Sequence, residues 1–382
     1  MKKVLIVTPS FNHGGTNRSL WNFLNTKQSE EFEVSILAMN HCGPYKEKFS
    51  KYNLLSEIPA LSALFPMVNL HGIAKLKRIA WKLVYKVIFR SNSQRLFGWV
   101  SKKLKKCNFD VVAAFQEGMT TEFASYIPAK KRLAWVRCDY SNYLKLANKT
   151  DELEIYGKFD KIVCVSKYTA GVFGNCYPGY KDKVMPIYNI IDTDGIIETS
   201  KNDVFDENFK NDKFTLVSVG RMDVVKRFKY IPEIAKVMKD NNCDFYWYII
   251  GAGGTEEPNV KEKIAEHNVG DCVILLGQKN NPYPYIANSD VLVCPSITEA
   301  CPNVVNEAKI LHIPAVAADF PSAPEYIDSG INGVISTMDN MASTLTRLCL
   351  DKEYYNSVKS GISTFEYKND EIRKSLERLM ID

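Results

Sequence analysis

The stretch VLIVTPSFNHGGTNRSLWNFL at residues 4–24 decides the fold class. The apolar run Val4–Val7 is followed at once by turn residues, which is the pattern of a short buried strand. After a loop, a helical pattern starts at Arg18, and Glu33–Ala38 reads as a second strand. The apolar residues of this helix share one face, at Leu20, Phe23 and Leu24. A strand, loop, helix and strand in this order predict a βαβ unit.

Two series of such elements follow one another along the chain. Strand-like runs of the first series continue at Val111–Phe115, Arg132–Val136, Lys161–Val165 and Val184–Ile191. Those of the second series are Phe214–Val219, Phe245–Ile250, Val273–Leu276, Val291–Val293 and Ala315–Ala317. Helical patterns separate the later strands at residues 227–240, 258–267, 282–288 and 302–311. Strands that alternate with helices in two consecutive sets predict an α/β protein with two doubly wound, Rossmann-like domains.

The boundary between these domains is expected near residue 190. The chain of 382 residues is long enough for two domains of ordinary size. We predict an N-terminal domain over residues 1–190 and a C-terminal domain over residues 191–364. Pro186 argues that the strand at 184–191 lies at a sheet edge or that a strand starts there. A C-terminal helix at about 365–382, amphipathic over Asp370–Met380, is expected to pack back on the first domain.

The composition excludes several classes of protein. With 46% hydrophobic and 24% charged residues, the chain is typical of a globular protein. The run Val4–Val7 is too short for a signal peptide, and no apolar run approaches the roughly 18 residues that span a membrane. The ten cysteines and five histidines are scattered without CxxC or another metal-type spacing. We therefore expect reduced cysteines in a cytoplasmic protein, with no metal site and no bound cofactor.

A basic stretch without acidic residues lies in the first domain. Between Glu57 and Asp110 the sequence has eleven Lys or Arg and no Asp or Glu. Residues 75–90 within it have helical periodicity and form three stripes. The stripes are aliphatic (Leu76, Ile79, Leu83, Val87), basic (Lys75, Arg78, Lys82, Lys86) and aromatic (Trp81, Tyr85, Phe89). We expect the aliphatic stripe to dock on the sheet and the other two to face outward.

Two interpretations of this helix remain open. Outward cations beside Trp and Tyr suit an anionic membrane surface. Alternatively, the helix is a solvated cationic face whose aromatic residues serve in packing. Nucleic acid is not expected as a partner, because no recognised RNA-binding or DNA-binding module accompanies the charge.

Cations follow the first strand of the second series in the segment SVGRMDVVKR, residues 218–227. Gly220 permits a close turn, Arg221 follows it directly, and Lys226 comes five residues after Arg221. Ligands of open α/β sheets bind beyond the carboxyl ends of the strands, where cations suit a phosphate group. The alternative is a solvated basic loop, and the spacing alone does not decide between them.

Two glutamates bracket a proline in the segment SITEACPNVVNEA, residues 296–308. Pro302 can open a helix, whose first backbone N–H groups would suit a diphosphate. Glu307, about a turn and a half into that helix, can reach a ribose, since carboxylates accept hydrogen bonds from sugar hydroxyls. The alternative is that Glu299 and Glu307 are ordinary surface charges.

Taken together, these segments resemble the retaining family-4 glycosyltransferases, which have the GT-B architecture. The resemblance runs along most of the chain. It rests on the N-terminal strand with Gly14-Gly15, on Val165-Ser166-Lys167, Ile187–Asp192, Val219-Gly220-Arg221, Ile249-Ile250-Gly251, Leu276-Gly277, Asn281-Pro282-Tyr283, Glu299-x7-Glu307, Pro324-Glu325 and Gly330–Gly333. It implies two Rossmann-like domains that face a central cleft, with the donor bound between them.

The resemblance also implies a role for each matching residue. Arg221 and Lys226 would bind the donor diphosphate and neutralise the leaving group, which dispenses with a metal ion. Glu299 would hold hydroxyls of the donor sugar, Glu307 would bind the ribose, and the segment after Gly277 would meet the nucleobase. Gly15 would let the backbone approach the donor from the first domain. Further donor contacts are expected at Gly220, Gly251, Gly277, Ala300, Cys301, Asn303 and Val304.

The first domain departs from the family pattern at one position. Family members often have a histidine on the loop after a strand like Ala134–Val136, and this chain has Arg137, followed by Cys138 and Asp139. Arg137 stays protonated, so it cannot act as a base, although it can contact a sugar hydroxyl or a phosphate. Asp139 is a candidate proton acceptor or, alternatively, the cap of the next helix. We expect Gly14, Arg137 and Asp139 on the acceptor side.

These observations predict a metal-independent, retaining glycosyltransferase. It would move a hexose or N-acetylhexosamine from a nucleotide diphosphate sugar, with UDP as the first expectation, to a glycan or lipid-linked acceptor in cell-surface polysaccharide synthesis. We expect it in the cytoplasm, peripheral at the inner face of the plasma membrane. The alternative is a catalytically silent GT-B subunit that scaffolds a partner glycosyltransferase.

Overall fold

The chain folds into two compact α/β units. The computed structural model describes residues 1–12, 14–25, 32–67, 70–148, 151–204 and 206–381. The first unit comprises Met1–Ile190 together with Asn369–Asp382, and the second comprises Ile191–Lys368. The division falls directly after Ile190, and the C-terminal residues belong to the first unit.

The first unit is built on a parallel sheet. Its strands are β1 (Lys2–Ser10), β2 (Phe32–Asn40), β3 (Asn53–Leu54), β4 (Phe109–Ala114), β5 (Ala129–Val136), β6 (Lys161–Cys164) and β7 (Val184–Pro186). They lie in the order β3-β2-β1-β4-β5-β6-β7, and neighbouring strands pair in parallel. Val4–Val7 in the central strand are fully buried, because helices cover both faces of such a sheet. The predicted βαβ unit is confirmed.

Helices connect these strands. They are α1 (Gly15–Asn25), α2 (Tyr45–Phe49), α3 (Pro59–Ser62), α4 (Gly72–Val87), α5 (Ser93–Leu104), α6 (Met119–Ala124), α7 (Tyr140–Leu146), α8 (Leu153–Gly157) and α9 (Lys167–Cys176). The predicted apolar face of α1 is buried, with Leu20, Phe23 and Leu24 at most 4% exposed. This face packs the helix onto the sheet and fixes the loop that precedes it.

The prediction of a strand over residues 184–191 is wrong in length. Only Val184–Pro186 form β7, which lies at the edge of the sheet, where Pro186 was expected. Ile187 and Ile190 are buried after the strand has ended. Asn22 of α1 donates a hydrogen bond to the Ile190 carbonyl oxygen at 3.1 Å. These isoleucines are buried beside the sheet and are not part of a strand. In the sequence, a short buried apolar run of this kind looks the same as a strand.

The prediction for the orientation of α4 is also wrong. The stripe expected to dock on the sheet is exposed, with Leu76, Leu83 and Val87 at 66%, 58% and 72%. Trp81 and Tyr85 instead pack against the core. Arg78, expected to face outward, is buried and donates a hydrogen bond to Asn40 Oδ1 at 3.0 Å. This polar contact and the larger aromatic side chains determine which face turns inward.

The second unit repeats the architecture. Its strands are β8 (Phe214–Val219), β9 (Phe245–Ile250), β10 (Val273–Gly277), β11 (Val291–Cys294), β12 (Ala315–Ala318) and β13 (Gly333–Ser336). They form a parallel sheet in the order β10-β9-β8-β11-β12-β13. This is the order of a Rossmann fold, in which ligands bind at the carboxyl ends of the strands.

Among the described helices of the second unit, the four between residues 231 and 310 lie close to their predicted positions, whereas the first and the last two were not predicted. They are α10 (Thr193–Ser200), α11 (Ile231–Asp240), α12 (Glu257–Glu266), α13 (Tyr283–Ala287), α14 (Asn303–Ile310), α15 (Met341–Leu350) and α16 (Lys352–Ile362). Strand β13 was not predicted from the sequence, because its first residue, Gly333, comes directly after residues typical of a turn. A Cβ at Gly333 would lie 2.5 Å from the Ala315 carbonyl oxygen, so the close approach of β13 to β12 needs glycine.

The C-terminal helix α17 (Asn369–Ile381) packs on the first unit. The apolar residues of its amphipathic stretch, Ile372, Leu376, Leu379 and Met380, are buried. Lys131 on β5 donates a hydrogen bond to the Leu379 carbonyl oxygen at 2.7 Å. The helix thus lies against the sheet of the first unit although 178 residues of the second, Ile191–Lys368, intervene in sequence.

Candidate active site

The loops that follow β8, β9 and β10 are joined at the carboxyl edge of the second sheet. The Gly220 amide donates to the Ile250 carbonyl oxygen, and the Gly251 amide donates to that of Gly277, each at 2.9 Å. The Met222 amide donates to the Gly253 carbonyl oxygen at 3.0 Å. The glycines that the sequence predicted as donor contacts therefore come together in one small region.

Gly251 is required for this close approach. Its φ is +144°, and a Cβ at this position would lie 1.9 Å from the Gly220 carbonyl oxygen. No side chain larger than hydrogen fits there unless the backbone moves. Gly251 thus allows the loop after β8, which carries Arg221 and Lys226, to lie against the loop after β9.

Lys226 and Glu299 form a direct ion pair. Lys226 Nζ lies 2.6 Å from Glu299 Oε1, although the two residues are 73 positions apart. The Ile297 amide donates to the Val225 carbonyl oxygen at 2.8 Å, which holds the two loops together. Burial alone would lower the pKa of Lys226, but the Glu299 carboxylate outweighs it and raises that pKa. The ammonium group therefore keeps its charge at neutral pH.

Ser296 positions the Glu299 carboxylate. Its side chain is buried, and its Oγ donates to the same Oε1 atom at 2.8 Å. Ser322 Oγ donates to the Glu299 carbonyl oxygen at 2.6 Å. Neither serine was predicted from the sequence as part of the site. The position of Ser296, a polar residue just after the buried strand β11, was the one available signal.

Tyr326 and Lys309 extend this support. Tyr326 Oη donates to the Ala300 carbonyl oxygen at 3.4 Å, and Lys309 Nζ donates to the Tyr326 carbonyl oxygen at 2.5 Å. Lys309 is buried in α14, and burial lowers its pKa to about 8. These contacts connect the loop that carries Glu299 to the body of the unit.

Arg221 is the most accessible cation of the site. Its side chain is 79% exposed, and its Nη2 lies 3.0 Å from Asp223 Oδ2. An exposed ion pair of this kind is weak, so the guanidinium can turn to another anion at little cost. Arg221 and Lys226 thus offer one mobile and one fixed positive charge from the same loop.

Helix α14 begins directly after Pro302, as the sequence predicted. The Asn303 amide donates to the Cys301 carbonyl oxygen at 2.9 Å, which shapes the turn into the helix. Glu307 lies on the second turn, and only 3% of its surface is exposed. It is not an ordinary surface charge, and a ribose would meet only the small exposed part of this carboxylate.

The loop with Gly14 and Gly15 lies at the carboxyl end of β1 in the first unit. Both glycines are exposed, and Gly15 is the first residue of α1. Asn17 Nδ2 donates to the carbonyl oxygens of Ser10 and Asn12 at 2.9 and 2.7 Å. The buried Asn17 therefore fixes the loop while its glycine backbone stays open to ligands.

Arg137 is held in place by its own unit. Its Nε donates to the Phe115 carbonyl oxygen at 2.8 Å, and its Nη1 donates to Asn189 Oδ1 at 2.9 Å. The Arg137 amide donates to Glu117 Oε2 at 2.8 Å. Glu117 was not predicted from the sequence; it follows β4 at the same edge of the sheet at which Arg137 follows β5.

Asp139 caps α7, which is one of the two roles that the sequence offered for it, the other being a proton acceptor. Its Oδ1 accepts from the Asn142 amide at 3.1 Å, and its Oδ2 accepts from Tyr168 Oη at 2.6 Å. Burial raises the pKa of Asp139, but hydrogen bonds from Tyr168, Ser141 and Asn142 outweigh it and lower that pKa. A carboxylate with a lowered pKa is a weak proton acceptor at neutral pH. The acceptor-side role of Asp139 stays a prediction.

Neither a membrane-spanning helix nor a metal-binding cluster is found in the described part of the chain. Over these ranges, no helix has both the length and the apolar character needed to cross a membrane. The same part of the chain holds no group of three or more His, Cys, Asp or Glu side chains placed to bind a metal ion.

Residues 199–361, which lie entirely within the second unit, match the family described as Glycosyl transferases group 1. A Campylobacter jejuni protein, N-acetylgalactosamine-N,N'-diacetylbacillosaminyl-diphospho-undecaprenol 4-alpha-N-acetylgalactosaminyltransferase, is 26% identical over 382 residues, covering 96% of each chain. UDP-Gal:alpha-D-GlcNAc-diphosphoundecaprenol alpha-1,3-galactosyltransferase of Escherichia coli is 20% identical over 336 residues, which cover 85% of this chain and 82% of its own.

A solved structure has the same fold over the whole chain. Alr3699/HepE of Anabaena in complex with UDP matches with a TM-score of 0.73 at 17% identity, covering 100% of this chain and 99% of that one. This likeness, together with the two parallel-sheet units, confirms the predicted GT-B fold class.

Proposed function

We propose that the chain is a metal-independent, retaining glycosyltransferase of group 1. It moves a hexose or N-acetylhexosamine from a nucleotide diphosphate sugar to a glycan or lipid-linked acceptor in cell-surface polysaccharide synthesis. The match of residues 199–361 supports the family. The observation that carries the proposal is the Lys226–Glu299 pair, at 2.6 Å, beyond the carboxyl ends of a Rossmann-type sheet.

The two cations of the loop after β8 act on the leaving group. Negative charge builds up on the donor diphosphate as the bond to the sugar breaks. Lys226, fixed by Glu299, and Arg221, which can turn, stabilise that charge at an edge where ligands of this fold bind. They supply the positive charge that a metal ion can otherwise provide, which is why we propose a metal-independent reaction.

Glu299 holds the donor sugar. In the described residues, the hydrogen bonds found to its carboxylate, from Lys226 and Ser296, both go to Oε1. Oε2 of the same carboxylate can therefore accept hydrogen bonds from sugar hydroxyls. A carboxylate fixed on one side holds the sugar in one orientation, and that orientation governs the geometry of attack.

The nucleobase and the acceptor are proposed from the relatives. The Anabaena neighbour was solved with UDP. The names of the Campylobacter and Escherichia relatives both include a diphosphate-linked undecaprenol. We therefore propose a UDP-linked sugar as the donor and a lipid-linked glycan as the first acceptor to test.

A thermal-shift screen of nucleotide sugars tests the donor. A ligand that binds only the folded state at about 100 times its Kd stabilises a protein by about 2.7 kcal/mol. For a unit of this size the melting temperature should rise by about 5–10 °C. We expect this rise with UDP-sugars. No rise with any nucleotide sugar would contradict the proposed site.

Replacing Glu307 should weaken nucleotide binding. Glu307→Gln keeps the volume of this buried side chain but removes the charge that favours a ribose hydroxyl as donor. We expect the Kd for UDP to rise by about tenfold, or about 1.4 kcal/mol, as measured by calorimetry. Glu233→Gln, an exposed change on α11, serves as the control and should leave the Kd unchanged. An unchanged Kd in Glu307→Gln would refute the ribose role.

Removal of divalent metal ions should leave the reaction intact. After treatment with EDTA we expect the rate of sugar transfer to stay within about twofold of the untreated rate, because Lys226 and Arg221 provide the charge. Activity that is lost with EDTA and restored by Mg²⁺ or Mn²⁺ would contradict a metal-independent mechanism.

A further inference from the structure

Helix α4 exposes a continuous aliphatic stripe to solvent. It consists of the four aliphatic residues predicted from the sequence, Leu76, Ile79, Leu83 and Val87, extended by Ile73, and the name aliphatic stripe covers all five from here on. Ile73 and Val87, near its two ends, are each 72% exposed, and Ile79 in the middle is 36% exposed. The stripe runs from Ile73 to Val87 along this helix, so it is about 21 Å long. Single exposed apolar residues are common, but a contiguous row of five marks an interaction surface.

The opposite face of α4 fixes this orientation. Trp81, Val84 and Tyr85 pack against the core of the first unit. Arg78, 5% exposed, donates hydrogen bonds to Asn40 Oδ1 and to the Pro66 carbonyl oxygen. Rotating the stripe inward would pull a buried guanidinium and two aromatic rings away from their contacts. The fold therefore keeps the aliphatic stripe turned outward.

Lysines border the aliphatic stripe on both sides. At 100° per residue, Lys75, Lys82 and Lys86 lie along one edge, and Lys77 lies along the other. The whole stretch between Glu57 and Asp110 is without an acidic residue. An apolar band with cationic edges complements a surface that is apolar below a layer of anionic groups. A protein partner would need an apolar groove with acidic rims on both sides.

We propose that α4 docks the chain on an anionic lipid bilayer, with the aliphatic stripe at the boundary between headgroups and acyl chains. The lysines reach the phosphates along each edge, and their alkyl stems extend over the apolar band. This differs from the outward aromatic face expected from the sequence, since Trp81 and Tyr85 face the protein. The proposal does not rest on transferase activity, because the surface lies on a helix with no residue of the site described above.

Docking has an electrostatic and a hydrophobic contribution, and the two differ in how they depend on salt concentration. Attraction of lysines to anionic lipids is screened by salt, whereas burial of the aliphatic stripe is not. Binding should therefore weaken between low salt and about 1 M salt but persist in part. A purely electrostatic contact would vanish at high salt.

Vesicle sedimentation with the full chain tests the proposal. The probes are vesicles of phosphatidylcholine, with and without phosphatidylglycerol. We expect L76Q/L83Q/V87Q to lower the partition coefficient by at least about tenfold at both salt concentrations. The matched control L146Q/I197Q/L350Q changes three exposed apolar side chains elsewhere and should bind like the wild type.

A charge-reversal pair tests the edges of the stripe. K75E/K82E/K86E should lower binding at low salt by at least about tenfold. K102E/K105E/K106E makes the same change of charge on exposed lysines outside α4 and should have a much smaller effect. Arg78 is left unchanged in both variants, because it is buried. The thermal shift with UDP should be equal in all variants, which shows that the fold and the donor site are intact.

Three results would overturn the proposal. One is a wild-type chain that ignores vesicles with phosphatidylglycerol at low salt. Another is full binding by L76Q/L83Q/V87Q, and a third is equal loss in the two charge-reversal variants. Sedimentation velocity tests whether a second copy of the chain covers the stripe instead. If the wild type is a dimer that does not bind vesicles, and L76Q/L83Q/V87Q is a monomer, the stripe is a contact between two chains.

Discussion

Lys226→Ala should lower kcat/KM for sugar transfer by at least about a hundredfold, or about 2.7 kcal/mol. The substitution removes the fixed charge that stabilises the leaving diphosphate. It also leaves the Glu299 carboxylate, whose side chain is 14% exposed, without its partner at 2.6 Å. Removing one member of a buried ion pair is costly, because the remaining charge has no compensation. Steady-state kinetics with the best donor of the thermal-shift screen measure the effect.

The control for this variant is Lys229→Ala. Lys229 pairs with Glu256 at 2.9 Å, and the exposures of the two side chains, 28% and 11%, are close to those of the Lys226–Glu299 pair at 26% and 14%. Lys229→Ala should lower the stability about as much as Lys226→Ala does, but it should leave kcat/KM within about threefold of the wild-type value. If the two variants lose the same activity, the Lys226 pair is structural and its catalytic role is refuted.

Gly251→Ala should abolish tight binding of the donor. The added Cβ would lie 1.9 Å from the Gly220 carbonyl oxygen, so the loops after β8 and β9 must separate. This shift displaces Arg221 and Lys226 together. We expect the Kd for UDP to rise by at least about thirtyfold and the unit to lose about 1–3 kcal/mol of stability from overpacking. Calorimetry and thermal unfolding give the two quantities.

Gly270→Ala provides the matched control in the same unit. A Cβ at Gly270 would meet a methyl group of Ile264 at 3.6 Å, which is ordinary contact. This variant should bind UDP as the wild type does. Normal UDP affinity in Gly251→Ala would mean that the joined loops do not form the donor site.

The sequence predicted the architecture well, because buried strands of a parallel sheet are continuous apolar runs. It also predicted the positions of Gly220, Gly251 and Gly277, which end strands or follow them. It did not predict that Lys226 and Glu299 touch, since they are 73 residues apart and only the parallel order of β8 and β11 brings them together. Ser322, 23 positions from Glu299, was missed for a similar reason, whereas Ser296 is only three positions from Glu299 and its place just after β11 was the signal that went unused.

The errors concern which side of an element faces the core. Helical periodicity shows that α4 is amphipathic, but it does not say whether aliphatic or aromatic residues dock. That choice depends on Arg78 and its hydrogen bond to Asn40, 38 positions earlier in sequence. Likewise, Ile187 and Ile190 are buried beside β7 rather than in it. Such long-range contacts leave no local pattern in the sequence.

The central claim is that the chain uses a nucleotide sugar to glycosylate an acceptor. The most direct measurement is release of the nucleoside diphosphate by the purified chain with each nucleotide sugar, in the presence and absence of undecaprenyl diphosphate-linked glycans. We predict release of UDP that depends on an acceptor, that yields a product with the anomeric configuration of the donor, and that is lost in Lys226→Ala. A chain that turns over no nucleotide sugar with any acceptor, and instead binds a partner glycosyltransferase tightly, would contradict this account.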